Sequence, residues 1–96
     1  MHAARYYTLT ASCPDQVGII ARVTGFIAEH GGWILESRFH ADDLDGRYFM
    51  RIEVKADSLP FHLAEFRGRF EPLAKDLQMD WRITDSAVKK RVVVLV

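Results

Sequence analysis

Apolar and polar positions alternate with period two over three stretches of the chain and recur every three to four residues over two others. From Arg5 to Ser12, Tyr7, Leu9 and Ala11 fall on one side and Tyr6, Thr8, Thr10 and Ser12 on the other, the pattern of a half-buried strand. Pro14 stops that strand. Asp15 stands where an N-cap belongs, because its carboxylate can accept free amide protons of a first helical turn, and the helix is predicted to run to about His30, where Gly31-Gly32 ends it. Gly18 then falls inside the first turn. A glycine there costs about 1 kcal/mol relative to alanine, which suggests that another group must approach the backbone closely. Val17, Ile19, Ile20, Ala21, Val23, Phe26, Ile27 and Ala28 cover far more than the roughly 100° stripe that packing on one sheet requires. The pattern therefore predicts two neighbours for this helix, its own sheet and either a second subunit or a second domain.

Trp33 to His40 has strand composition, but Trp33, Leu35 and Phe39 compete with Ile34 for the buried face, so the pattern leaves the register open. Ala41 to Gly46 has the turn chemistry that joins two strands. Arg47 to Ala56 alternates cleanly, with Tyr48, Met50, Ile52, Val54 and Ala56 inward and Arg47, Phe49, Arg51, Glu53 and Lys55 outward. Asp57 or Ser58 is then predicted to cap a second helix with Pro60 in its first turn. Its apolar positions are Leu63, Phe66, Phe70, Leu73 and Leu77, and Pro72 predicts a kink or short break near Glu71. Met79, Trp81 and Ile83 alternate with Asp80, Arg82 and Thr84 in a last strand.

The order strand, helix, strand, strand, helix, strand predicts an α+β sandwich with two helices on one face of an antiparallel sheet. The opposite face, lined by Tyr6, Thr8, Thr10, Arg47, Phe49, Arg51, Asp80 and Arg82, is mixed in charge and suits solvent or a polar partner.

Length and charge narrow this picture. Ninety-six residues make one small domain, and thirteen basic side chains balance thirteen acidic ones, so no overall field draws the chain to nucleic acid or an anionic membrane. No apolar run is long enough to span a bilayer, residues 1 to 15 lack the apolar stretch of a signal peptide, and a cytoplasmic setting is expected. Cys13 is the single cysteine, which excludes an internal disulfide and fits a reducing compartment. After Ala87, Lys89-Lys90-Arg91 precedes the unbroken run Val92 to Val96, which resembles a strand buried on both faces. The expectation is one unit over residues 1–86, with residues 87–96 forming a linker and the first strand of a further α/β domain. An added edge strand is the alternative, and its exposed apolar edge would invite aggregation.

Several catalytic or metal-binding readings fail on spacing. If Asp43 and Gly46 held positions 3 and 6 of a calcium loop, Ala41 would hold position 1 and Ile52 the place of the bidentate glutamate. His2, His30, His40 and His62 lack metal-ligand spacing, and Cys13 has no paired motif that would make it a nucleophile. An RNA-recognition module has the same element order, and Gly46-Arg-Tyr-Phe-Met-Arg-Ile loosely matches its signature. Arg47, however, stands where an aromatic should stack and Tyr48 where glycine or alanine is needed.

Cys13-Pro-Asp-Gln-Val-Gly-Ile-Ile resembles the first motif of ACT domains, small-molecule-sensing modules attached to metabolic enzymes. Together with His30-Gly-Gly-Trp-Ile-Leu-Glu-Ser, Asp45-Gly-Arg-Tyr-Phe-Met-Arg-Ile-Glu-Val and Lys90-Arg-Val-Val-Val-Leu-Val, it resembles the N-terminal portion of the formyltetrahydrofolate deformylase family. That resemblance implies a βαββαβ ferredoxin-like ACT domain in an enzyme that hydrolyses 10-formyltetrahydrofolate to formate and tetrahydrofolate for purine synthesis. The family's catalytic asparagine, histidine and aspartate map onto no position here, so the chain alone is expected to be inactive, with no cofactor or metal. ACT domains pair side by side and hold an amino acid at the interface, which implies a homodimer or tetramer and glycine or methionine as effector. The effector positions implied are Asp15, Gln16, Val17, Gly18 and Ile19 at the first turn and Trp33 and Ile34 at the second strand. Amides of Val17, Gly18 and Ile19 suit a carboxylate, while Asp15 or nearby carbonyls suit an ammonium. Trp33 departs from the asparagine that many ACT domains place there. Either the pocket prefers an apolar side chain such as methionine's, or Trp33 fills it and the domain serves assembly alone.

Overall fold

Strand β1, Tyr6–Pro14, lies between two partners, and the rest of the sheet is assembled on it. The computed structural model describes residues 5–42 and 44–87, and its elements continue with α1 (Ile19–Glu29), β2 (Ile34–Asp42), β3 (Arg47–Lys55), a 3-10 turn (Ala56–Ser58), α2 (Leu63–Asp76) and β4 (Asp80–Asp85). The strands form one antiparallel sheet in the order β2-β3-β1-β4. The expected α+β arrangement is the one found.

Alternation drives the core. Tyr7, Leu9, Ala11 and Cys13 of β1 are buried on the helix side with Met50, Ile52 and Val54 of β3 and Ile83 of β4. The helices add Ile19, Val23 and Ile27 from α1 and Phe66, Phe70 and Ala74 from α2. Phe66 is central, with ring centroids 5.6 Å from Tyr7, 5.8 Å from Phe61 and 6.4 Å from Phe26. Phe26 also meets Phe70 edge-on at 5.6 Å, so α2 accounts for part of the broad apolar surface of α1. Val17, Ile20, Ala21 and Ala28 stay exposed.

β2 explains why its register was illegible. A bulge at Leu35 separates the Ile34–Val54 pair from the Glu36–Glu53 pair, shifting the alternation by one residue partway along the strand. Ile34 and Phe39, five positions apart, therefore both pack against the core.

Local chemistry corrects other expectations. β1 runs through Pro14 rather than ending before it, and β3 stops at Lys55, with Ala56 opening the 3-10 turn. Asp15 does not cap α1. Gly18 occupies the N-cap position with φ 85°, and no side chain bonds to the helix start. Glycine is thus required by a left-handed backbone rather than tolerated within a turn. Asp57 and Ser58 do not cap α2, which begins after Pro60 with His62 at its N-cap; the Ser58 hydroxyl is instead committed to Lys55 and Trp33. Of the kink or short break predicted near Glu71, the break is absent, because α2 is continuous through Pro72. Pro72 and Gly68 are both exposed, so the Gly68 carbonyl that loses its helical donor to the proline is not left in the core. Residues 88–96, including the run Val92–Val96, lie outside the described residues, as do His2 and Asp43.

Gly32 marks a close approach. A Cβ built on it would lie 2.5 Å from Ile27 Cγ2, 3.0 Å from the Ile27 carbonyl oxygen and 3.1 Å from Leu59 Cδ2. Gly32→Ala is expected to destabilise the fold by about 1–3 kcal/mol through overpacking, and Phe66→Ala by about 3–5 kcal/mol through cavity formation. Urea denaturation checks both, and unchanged midpoints would contradict the packing described.

Candidate functional site

The turn from β1 into α1 is pinned at its base and open at its crest. The Asp15 N–H donates to the Gly46 carbonyl at 2.9 Å, and Gln16 Nε2 donates to the carbonyls of Pro14 and Leu77, each at 3.1 Å. Gln16 thereby ties the turn to the end of α2. Above this anchor Val17 and Gly18 are exposed, and Ile19 turns back into the core. The Gly18 carbonyl accepts the first helical bond from the Arg22 N–H at 3.0 Å, whereas no backbone bond among the described residues uses the amides of Val17, Gly18 or Ile19. A Cβ at Gly18 would meet nothing within 4 Å. This main chain is accessible from outside, and its unpaired amides sit at the positive end of a helix dipole.

Trp33 and Ile34 lie elsewhere. The Trp33 N–H donates to Ser58 Oγ at 2.8 Å, its carbonyl accepts from the Lys55 N–H at 2.9 Å, and Ser58 Oγ donates to the Lys55 carbonyl at 2.6 Å. Those bonds fix the backbone while the residue as a whole remains 66% exposed. Ile34 is half-buried against the core. Sequence reasoning missed Ser58 as the anchor of this segment; its serine-proline neighbourhood signalled a helix cap more strongly than a cross-element bond.

The two groups stand at opposite ends of α1. Eleven residues at 1.5 Å each make that helix about 16 Å long, so one chain does not bring Asp15–Ile19 to Trp33 and Ile34. Between them runs the flank of α1 that faces away from α2. It carries Val17, Ile20, Ala21, Thr24 and Ala28 and no charged residue, and Thr24 Oγ1 is turned inward to donate to the Ile20 carbonyl at 2.7 Å. The opposite flank carries Arg22, paired with Asp76 of α2 at 2.7 Å. Beside the uncharged flank, β2 is an edge strand of nine residues. The other edge, β4, is partly blocked, because Arg67 of α2 donates to the Ile83 carbonyl at 2.9 Å.

Cys13 is fully buried, and desolvation pushes its thiol above the ordinary pKa. Among the described residues no group of three or more His, Cys, Asp or Glu is placed to hold a metal. No helix among them is long and apolar enough to cross a membrane. On the open sheet face lies a shallow groove of about 570 Å³, whose lining includes Thr10, Phe49, Arg51, Asp80 and Arg82, all expected there, and also Arg38 and His40. Those last two were missed because the bulge in β2 hid their face. Thr8, also assigned to this side, is buried at its centre between Glu53 and Thr84.

The geometry, a split βαββαβ sheet with an accessible glycine turn ahead of α1, defines an ACT fold, and comparison with known proteins agrees. The chain is 27% identical to an ACT domain protein from Streptococcus pneumoniae, with a TM-score of 0.76 over 88% of this chain and 93% of that one. It is more similar still to formyltetrahydrofolate deformylases. A crystal structure of that enzyme from Pseudomonas syringae pv. tomato matches with 52% identity and a TM-score of 0.88 over 91% of this chain and 29% of that one. The deformylase of Corynebacterium sp. (strain P-1) is 34% identical over 90 residues, 94% of this chain and 32% of the relative. No protein-family model matches the chain. The chain is thus a homologue of the formyltetrahydrofolate deformylases that spans about a third of their length, with the ACT fold. These relatives do not favour the RNA-recognition alternative.

Burial of the only thiol gives a direct check. Cys13 is expected to react slowly with a disulfide reagent in the native chain and rapidly once urea unfolds it, because only exposed thiolate attacks. Equal rates in the two states would contradict the placement of Cys13 in the core.

Proposed function

We propose that this chain is the regulatory, amino-acid-sensing ACT module of a formyltetrahydrofolate deformylase, acting as a homodimer or within a tetramer. The hydrolysis of 10-formyltetrahydrofolate to formate and tetrahydrofolate, which would feed purine synthesis in the cytoplasm, resides in the remaining two thirds of such an enzyme. The observation that carries the reading is the splitting of the effector residues between the two ends of α1.

A second copy resolves the split. Two chains joined through their β2 edges about a two-fold axis run β2 against β2 in opposite directions, and each α1 then lies antiparallel to the other. The uncharged flanks meet. Asp15, Gln16, Val17, Gly18 and Ile19 of one chain come to face Trp33 and Ile34 of its partner, and two equivalent sites form. In each, the open amides of residues 17–19 receive a carboxylate and Asp15 or a turn carbonyl receives an ammonium. The Trp33 indole supplies an apolar wall, which favours methionine over glycine where the side chain reaches it. Ligand binding favours the paired arrangement that makes these contacts, and that difference biases the attached catalytic part.

The β2 edge itself argues for pairing, since a nine-residue strand that is paired to β3 on one side and open on the other, beside an apolar helix flank, invites a partner strand. Assembly without a ligand is the second reading, supported by the bulk of Trp33.

Sedimentation of the 96-residue chain is expected to show a dimer, and isothermal titration is expected to show methionine or glycine binding once per chain. Ile20→Glu, which places a charge on the exposed flank, is expected to yield a folded monomer that binds neither. Binding by that monomer as tight as by the dimer would sink the shared site; a dimer that binds neither amino acid would leave assembly as the role.

A further inference from the structure

The sheet register sets Arg38 opposite Arg51, Arg51 opposite Thr10 and Thr10 opposite Arg82. The neighbours of Thr10 and Arg51 in sequence are buried in the core and the register aligns Arg38 and Arg82 with them, so all four side chains stand on the open face, and one row across four strands carries three guanidinium groups and a hydroxyl. Like charges on directly opposed residues destabilise a sheet. Two of the arginines are offset along their own strands, Arg38 by Glu36 and Arg51 by Glu53, each at 2.9 Å. Arg82 is not: its guanidinium has no carboxylate partner among the described residues.

This row crosses the groove of about 570 Å³. In the adjacent row Phe49 is 38% exposed, with its ring centroid 6.2 Å from that of His40. The one acidic side chain of the lining, Asp80, is engaged by Arg47 at 3.4 Å. The groove therefore keeps one guanidinium, that of Arg82, without a carboxylate partner among the described residues, beside an exposed aromatic face.

We propose that this groove binds a small aromatic anion bearing two or more carboxylate or phosphate groups. The ring packs on Phe49, and the anionic groups lie along the row Arg38, Arg51, Thr10 and Arg82. Guanidinium groups take carboxylate or phosphate oxygens in bidentate fashion, and Thr10, whose hydroxyl donates to the Arg82 carbonyl at 3.5 Å, keeps a small uncharged side chain between two of them. Neighbouring strands are about 4.8 Å apart, so the backbones of Arg51 and Arg82 stand roughly 10 Å apart across Thr10, a span that two anionic groups of one small molecule can bridge. The groove is on the face away from the helices and does not depend on the amino-acid site proposed above.

Titration of the 15N-labelled 96-residue chain with folic acid and, separately, with ADP is expected to shift the amide resonances of Thr10, Ser12, Phe49 and Arg82. Arg82→Ala, with an otherwise unchanged spectrum, is expected to weaken binding at least about tenfold through loss of a charge-assisted contact. Glutarate, a dianion without a ring, is expected to bind about tenfold or more weakly than the aromatic anions. Binding of folic acid alone assigns the ligand to folates, binding of ADP alone to nucleotides, and binding of both supports the shared chemistry. The proposal is overturned if neither aromatic anion shifts these resonances, if Arg82→Ala binds as well as the native chain, or if glutarate binds equally. Binding to oligouridylate that tightens with length beyond a few nucleotides would overturn it in favour of a nucleic-acid surface.

Discussion

The pairing of β1 with both β3 and β4 is the constraint on which the structure depends. Nine residue pairs join β1 to β3 and six join it to β4, so the alternation of Tyr7, Leu9, Ala11 and Cys13 dictates which side of every neighbouring strand is buried. A one-residue slip would drive Thr8, Thr10 and Ser12 into the core and expel four buried side chains. The same pairing positions chemistry. It delivers Pro14 beside Arg47, where the Asp15 amide reaches Gly46 and Gln16 reaches Leu77, and the open turn at Gly18 is held there.

From this arrangement the two faces acquire different characters. The helix side is closed by aromatic packing around Phe66, with the short uncharged flank of α1 and the β2 edge left free. The sheet side is polar, with its charges sorted into rows: Glu36 and Glu53 lie in one, Arg38, Arg51 and Arg82 in the next. Like charges in register oppose one another locally, and pairs along the same strand relieve Arg38 and Arg51 but leave Arg82. Homology with formyltetrahydrofolate deformylases is shown over about a third of their length, and sensing is the role proposed for the helix side.

Elements with uninterrupted alternation were legible from sequence. β3 and β4 show their buried sides directly, as do the core positions Phe66, Phe70 and Leu77 of α2. The bulge at Leu35 broke that legibility in β2, since no local residue announces where the phase changes. Capping chemistry misled in two places: Asp15, Asp57 and Ser58 satisfy the preferences of an N-cap, but a glycine with positive φ takes the N-cap of α1, and Asp57 and Ser58 belong to a 3-10 turn that ends before α2 begins. The residues of the candidate site were nameable by resemblance, yet their separation was not, because it depends on the length of α1 and the direction in which β2 leaves it. The groove was visible only in part, as Arg38 and His40 depend on the register of β2.

The central claim is that a second copy completes what one chain holds apart. It is tested most directly by isotope-filtered NOE spectroscopy on a mixture of labelled and unlabelled chains. The account predicts intermolecular contacts between the Val17 methyl groups of one chain and the Trp33 indole of its partner, two groups that flank an eleven-residue helix within a single chain. Absence of any such contact in a sample shown to be dimeric, or contacts made through β4 instead, would contradict it.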